Sequence, residues 1–394
     1  MQALTLFHKT LRQTCPFIHA KRLEALMAGT RALLDGRELT VTRLGRALQG
    51  AAKTKNNIKR IDRLVSNPHV QRERSAIYAA HARQVLGSHP RPVVLVDWSD
   101  INLERDQLLR ASVSVKGRSF TLYEEVHPIS DYDSPTVCQS FLKKLRELLP
   151  ASLKPIIITD AGFRGPWFQS VLAIGWDFIG RVRNRTLYQS EGGETWEPCK
   201  TLYAKASATP KAVGPVFLNR SHPLACEFYL FKESAKARQK TTTQGQRCRS
   251  SHSEKCAQAA REPWLLASSL KEPAARIVKL YAQRMQIEES FRDSKSTSYG
   301  FGLSMARTTC RRRLEVLLLL ALCALFALWL TGKAVEQAGA HYQYQANSIK
   351  NRPVLSTVFI GWQVMLRGKT PASPSQLLQA LAELHMLVRQ AWEG

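Results

Sequence analysis

The chain is short of acidic residues, has no CxxC pair, shows no internal repeat and contains no uninterrupted apolar run of membrane-spanning length. Against 31 Asp+Glu stand 57 Lys+Arg, a formal net charge of +26 over 394 residues. That surplus carries self-repulsion which a polyanionic partner relieves; nucleic acid is the leading candidate and a membrane surface the second. The eight cysteines form no close framework and the N-terminus carries no signal-peptide pattern, so they read as reduced thiols of a cytosolic protein. Cys248-x3-His252-x3-Cys256 is the nearest approach to a ligand cluster, and it lacks a fourth ligand and structural-zinc spacing. The longest apolar run, Val316 to Leu330, has fifteen residues, short of the roughly 20 that a span needs. Glu315 heads it and Thr331-Gly332 stop it, so the run is expected as a helix buried in a soluble core. The triplet Arg311-Arg312-Arg313 before it keeps the membrane alternative open. With 44% hydrophobic and 22% charged residues, disordered, collagen-like and low-complexity classes are excluded. The length suits two or three domains.

Residues 1–90 hold 16 Lys+Arg against 5 Asp+Glu, with helical spacing throughout. Leu39-Thr40-Val41-Thr42 leads into Leu44 and Leu48, and Gly50-Ala51-Ala52 breaks the pattern. Ile58, Ile61 and Leu64 then repeat every three residues, which leaves Lys55, Lys59, Arg60 and Arg63 on the other faces. Two short helices, the second strongly basic, suggest a helix-turn-helix-like DNA reader; a solvated basic helix is the alternative.

From residue 92 the period changes. Pro92 to Asp97 is a short β-branched run ending on a carboxylate, as a buried strand would. Leu109 to Val115 and Ser119 to Val126 are predicted as a hairpin through Lys116-Gly117-Arg118, followed by a helix over 134–148. Pro155 to Asp160 repeats the apolar-run-then-Asp form, and a helix (165–174) and a strand (176–182) follow. This is an α/β layer with a mixed sheet. Residues 183–262 are expected as a β-rich insertion with a basic loop near 235–258. A strand at 264–268 leads to one long helix from 274 to about 296, and 303–394 reads as helical. The boundaries expected are 1–90, 91–300 and 301–394.

Asp97 and Asp160 each end an apolar strand, where side chains emerge at the carboxyl edge of a sheet. On a single helix, Tyr281, Arg284, Glu288 and Lys295 would share one stripe within about 60° of arc. An ordinary ion-pair face is one explanation of such a stripe. Phosphate-gripping groups flanking a metal carboxylate are the other. Asp100, Glu289 and Asp293 lie off the pattern and are not expected as ligands.

Tyr281-x2-Arg284-x3-Glu288-x6-Lys295 resembles the YREK signature of bacterial insertion-sequence DDE transposases, the group that includes those of transposons five and ten. The likeness spans essentially the whole chain and is greatest to the transposon-ten type, in Val-Leu-Val-Asp97-Trp98-Ser99-Asp100, Asp160-Ala161-Gly162-Phe163 and Arg284-Met-Gln-Ile-Glu288-Glu289. The resemblance implies an RNase H-like catalytic core with a β-rich insertion, flanked by helical N- and C-terminal domains. It implies cut-and-paste transposition through a hairpin at the element's end, with Asp97, Asp160 and Glu288 holding two Mg²⁺ ions, for which Mn²⁺ would substitute. Three carboxylates can hold such a pair about 3.5–4 Å apart. Tyr281, Arg284 and Lys295 would hold phosphates, and Trp264 matches the place of a Trp that stacks on a flipped base. The type-five enzymes also have a Trp directly after the signature Arg, where this chain has Met285. The partners implied are double-stranded DNA, as terminal inverted repeats and target, and a second copy of the chain in the paired-end complex, with no membrane. The compartment implied is the bacterial cytoplasm, at the nucleoid. A metal-dependent nuclease of the same fold that cuts without joining, and an inactive DNA-binding regulator, are the rival readings.

Overall fold

A computed structural model describes residues 2–101, 105–183, 186–233, 262–298, 300–346, 348–349, 352–367 and 372–393. The Cys248/His252/Cys256 group and the expected basic loop lie outside these residues. The fold is mixed α/β, with helices at both ends of the chain and, among the described residues, ten strands. It divides into two compact units, one of residues 1–153 and 285–394, the other of 154–284.

The first unit opens with five helices: α1 (Gln2–Thr14), α2 (Ala20–Gly36), α3 (Val41–Ala47), α4 (Thr54–Ser66) and α5 (Pro68–Leu86). Their ends follow local chemistry. The Thr40 hydroxyl accepts from Arg43 N–H at the start of α3, and Asn67 caps α5 with Pro68 in its first turn. Helices α3 and α4 cross almost backbone to backbone, because a Cβ on Gly45 would stand 2.5 Å from the Ile58 Cα.

Three antiparallel strands follow: β1 (Val93–Asp100), β2 (Asp106–Ser114) and β3 (Ser119–Pro128), with β2 in the middle. Gly117 at φ 76° makes the expected turn between β2 and β3. β1 does not stop at Asp97. Its pairing with β2 continues through Trp98↔Leu109 to Asp100↔Gln107, so Asp97 is a mid-strand residue facing Arg110. What ends after Val96 is burial, not the strand. Helix α6 (Pro135–Leu148) covers this layer with Phe141, Leu142 and Leu145.

The second unit carries β4 (Ile156–Thr159), α7 (Gly165–Ala173) and β5 (Asp177–Val182), with β4 and β5 parallel. Next come β6 (Leu187–Ser190), β7 (Glu197–Pro198), β8 (Lys211–Leu218), β9 (Leu224–Phe231) and β10 (Trp264–Ser268). They pair antiparallel, in the order β5-β10-β9-β8-β6-β7. The expected β-rich character of this stretch is met by β6 to β9.

The expected single helix from 274 is two: α8 (Ala274–Ala282) in the second unit and α9 (Met285–Lys295) in the first. The ladder tightens where Gln283 N–H donates to Leu280 O and Arg284 N–H to Tyr281 O, three-residue spacings that close α8. The single stripe through Tyr281, Arg284, Glu288 and Lys295 is therefore corrected to two segments.

The apolar run lies within α10 (Arg311–Gln337), followed by α11 (Thr357–Arg367) and α12 (Pro374–Glu393). Helix α10 is long and apolar enough to cross a membrane, yet 89% of its apolar window is buried inside the protein. It packs against α1, α2, α5, α11, α12 and β3. Glu315 is engaged by Arg74 and accepts from Val126 N–H. The helix continues past Thr331-Gly332, where the apolar run stops, to Gln337. The Thr331 hydroxyl bonds back to Ala327 O at 2.8 Å, and Gly332 faces Gly361, where α10 and α11 leave no room for a Cβ on either.

Candidate active site

In the first unit, Asp97 is half-buried on β1, with Oδ1 accepting from Trp98 N–H at 2.9 Å. Lys295, in the last turn of α9, reaches the same strand: its Nζ donates to Ser99 Oγ at 2.6 Å and Asp100 O at 2.7 Å. Burial draws the Lys295 ammonium below its ordinary range; Arg110 adds to this, while Asp100 and Asp97 oppose it. Glu288 lies in the first turn of α9 and is exposed. It is seven residues from Lys295, so the two stand within about 20° on one face, and a carboxylate there is favoured by the helix dipole. The other faces of α9 are occupied. Ile287, Ser290, Phe291 and Ser294 are buried, and the Gln286 side-chain oxygen accepts from Ser114 Oγ and Val115 N–H, both at 3.1 Å.

The three off-pattern carboxylates have structural partners. The Asp100 carboxylate accepts from Gln107 Nε2 at 3.5 Å, and its main-chain oxygen from Lys295. Glu289 pairs with Arg118 and Arg292. Asp293 is 3.6 Å from Arg118, and burial pushes its carboxyl up to about 6.

In the second unit, Asp160 directly follows β4 and its Oδ1 accepts from Gly162 N–H at 2.8 Å. A Cβ on Gly162 would stand 3.0 Å from that oxygen, so the turn favours a glycine. Tyr281 is buried at 3% exposure. Burial raises its hydroxyl above the ordinary range, with Arg284 and Arg181 opposing and Asp160 reinforcing. The hydroxyl therefore stays protonated at neutral pH. Trp264, half-buried at the start of β10, meets Tyr281 edge to face at 5.0 Å and Phe231 at 5.6 Å. Met285 is 43% exposed.

Beside Asp160 opens a cavity of about 590 Å³, lined among others by Ala161, Phe163, Arg164, Arg181, Arg183 and Asn219. Arg183 pairs with Glu262, and Arg181 donates to the main-chain oxygens of Glu262 and Pro263. Burial lowers Arg181 from its ordinary range, though it remains a cation. Arg181 and Arg183 were not singled out from sequence. Their signal was present as alternating arginines in Arg181-Val-Arg183 at the end of an apolar strand.

On α4, Lys55, Lys59, Arg60 and Arg63 are all exposed, while Ile61 and Leu64 are buried. Arg60 also donates to Asn57 Oδ1 at 3.2 Å. Among the described residues, no group of three or more His, Cys, Asp or Glu side chains is gathered closely enough to hold a metal ion. The donors offered by Asp97, Asp160 and Glu288 are nonetheless all carboxylate oxygens, the type Mg²⁺ takes.

The mixed α/β fold with helices at both ends is consistent with an RNase H-like DDE transposase core. A family model for the transposase DDE domain matches residues 88–327. The match takes in more than half of the chain, which belongs to that family. Its members are transposases, which act on DNA and depend in general on divalent metal. No curated protein matches the sequence.

Proposed function

We propose that the protein is a cut-and-paste DNA transposase of the YREK group, similar to the transposon-ten type, that cleaves element ends through a hairpin and joins them to target DNA. The observation that carries this reading is the company each signature residue keeps within its own unit. Tyr281 sits against Trp264 within the influence of Arg284 and Asp160, and Lys295 is held on the strand of Asp97.

In this reading Asp97, Asp160 and Glu288 would hold two Mg²⁺ ions. Bound ions would supply Lewis acidity, lowering the pKa of water or a 3′-hydroxyl and stabilising charge on the leaving oxygen. The chain's own groups bind and orient the DNA. Arg284 grips a phosphate bidentately, Lys295 presents a fixed ammonium, and the protonated Tyr281 hydroxyl donates a hydrogen bond. Trp264 offers a stacking surface to an extruded base. The arginine-lined cavity beside Asp160 suits a backbone phosphate. Lys55, Lys59, Arg60 and Arg63 form the phosphate-gripping face of the end reader in residues 1–90, residues 91–300 form the catalytic domain, and residues 301–394 serve dimerisation in the paired-end complex.

A strand-transfer assay with a supercoiled target plasmid and a duplex carrying the element's own ends tests this. Joined product that disappears in Asp97→Ala, Asp160→Ala or Glu288→Ala is expected. Metal-dependent hydrolysis without any joined product would establish the nuclease instead, and end binding without cleavage would establish the regulator.

A further inference from the structure

The residue facing Asp97 across β1 and β2 is Arg110, 1% exposed and the largest fully buried side chain among the described residues. Its guanidinium binds on two sides. Toward β3, Nε and Nη2 donate to Glu124 Oε2 at 2.8 and 2.6 Å, and the other Glu124 oxygen accepts from Tyr78 Oη at 2.9 Å. Toward α9, Nη1 donates to Ser290 Oγ and Nη2 to Ser294 Oγ, both at 3.1 Å. Phe291 lies beneath the guanidinium, its ring centre 4.8 Å from Cζ.

Ser290 and Ser294 are one turn apart, so the two hydrogen bonds fix both the rotation of α9 and its position along the strand. That helix carries Glu288 and Lys295, and the strand beside Arg110 carries Asp97. We propose that Arg110 is a positioning residue for the reaction, setting the helix of Glu288 and Lys295 in register with the strand of Asp97. The inference rests on the reading of Asp97 and Glu288 as catalytic carboxylates.

A buried ion pair of this kind is weak evidence for stability, because well-packed apolar residues often serve as well. What apolar packing would not supply is directional bonding to two serines and one carboxylate at once. Lysine, a point charge without the planar fork, would not reproduce it. Displacements of about 1 Å at a reacting centre reduce rates by about a hundredfold, so a helix loosened from Arg110 should lose rate before it loses fold.

The test compares Ser290→Ala, Ser294→Ala, the double variant and Arg110→Lys with the unmodified full-length protein. Four quantities are measured: melting temperature, affinity for a duplex carrying the element's end, cleavage rate, and Mn²⁺ binding to the protein–DNA complex followed by electron paramagnetic resonance. Expected for the double serine variant are end affinity within about twofold, cleavage slower by about ten- to a hundredfold, and Mn²⁺ binding weaker by about tenfold or more. Single serine variants should fall between, and Ser290→Thr, which keeps a hydroxyl, should retain more of the rate than Ser290→Ala. If the folded serine variants cleave and bind Mn²⁺ as the unmodified protein does, the proposal is overturned. Loss of end affinity and melting temperature in step with cleavage also overturns it, by showing a purely structural role. If Arg110→Lys does not fold, the serine variants decide alone. Asp97→Ala serves as the reference: an active Asp97→Ala protein refutes the carboxylate reading, whereas an inactive one beside fully active serine variants refutes only the role of Arg110.

Discussion

The candidate site residues of the two units are built on opposite plans. In the first unit, Asp97, Glu288 and Lys295 are exposed or half-buried, and what fixes their elements is a buried polar layer of Arg110, Glu124, Ser290 and Ser294. In the second unit Tyr281 is buried and Arg284 half-buried. Tyr281 packs on Trp264, with Arg181 and Arg284 electrostatically coupled to it. One region fixes the elements of Asp97 and Glu288 by buried hydrogen bonds, and the other packs the Tyr281 ring on Trp264. Substitutions should therefore act differently in the two. In the first, a change at the surface removes chemistry and spares the fold; in the second, it changes packing and charge together.

The largest effect is expected at the carboxylates. Asp97→Ala, Glu288→Ala and Asp160→Ala should each slow Mg²⁺-dependent cleavage by at least about a thousandfold in single-turnover assays, with end binding retained. A carboxylate whose removal is tolerated drops out of the proposed site. Next come the grips of the second unit. Arg284→Ala should cost about a hundredfold in cleavage and Tyr281→Phe about tenfold, and Arg284→Lys should recover little because an ammonium makes no bidentate grip. Equal activity of Arg284→Lys and the unmodified protein would show a point charge to be enough.

Smaller still, replacing Lys55, Lys59, Arg60 and Arg63 together by Ala should flatten the salt dependence of end binding. The slope of log K against log salt should fall by about 0.9 for each phosphate no longer neutralised, with the melting temperature unchanged. An unaltered slope would make α4 an ordinary solvated helix. The smallest effect concerns Asp293, whose carboxyl burial pushes up to about 6 from 3.8. A carboxyl with a raised folded-state pKa contributes stability that is fully present below about 4 and lost as pH rises through about 6. Asp293→Asn removes that loss. Aligned at pH 4, the melting temperatures of the two proteins should draw apart between about pH 4 and 6 and keep a constant gap above that, the Asn variant melting higher. Curves parallel throughout would show that Arg118 compensates the charge fully.

Much of this was legible in the chain because local signals agreed. The β-branched runs marked β1 and β4, Lys116-Gly117-Arg118 marked the β2–β3 turn, and β10 was read at its observed bounds. The three-residue repeat of Ile58, Ile61 and Leu64 put the basic residues of α4 outside. What failed depended on partners elsewhere. Nothing between Tyr281 and Met285 is a glycine or proline, so the break between α8 and α9 carries no sequence mark. Asp97 read as a strand end because apolar residues stop there, while the pairing that extends β1 comes from β2. Arg110 stands between Leu108-Leu109 and Ala111 as a charge in a fully buried strand. That could have signalled a buried partner, but the nearer of the serines that accept from it lies 180 residues further on.

The close approach of Gly45 to Ile58 has a thermodynamic consequence. Because α3 and α4 touch at their backbones, the exposed cations of α4 are carried by an element whose angle would be fixed before DNA arrived, if α4 is the face that binds it. Little ordering of α4 would then remain for binding, and less of the interaction free energy would go into conformational entropy. Calorimetry of end binding by this face should show a heat-capacity change set by the apolar area it covers, without the larger negative contribution of a segment that folds as it binds.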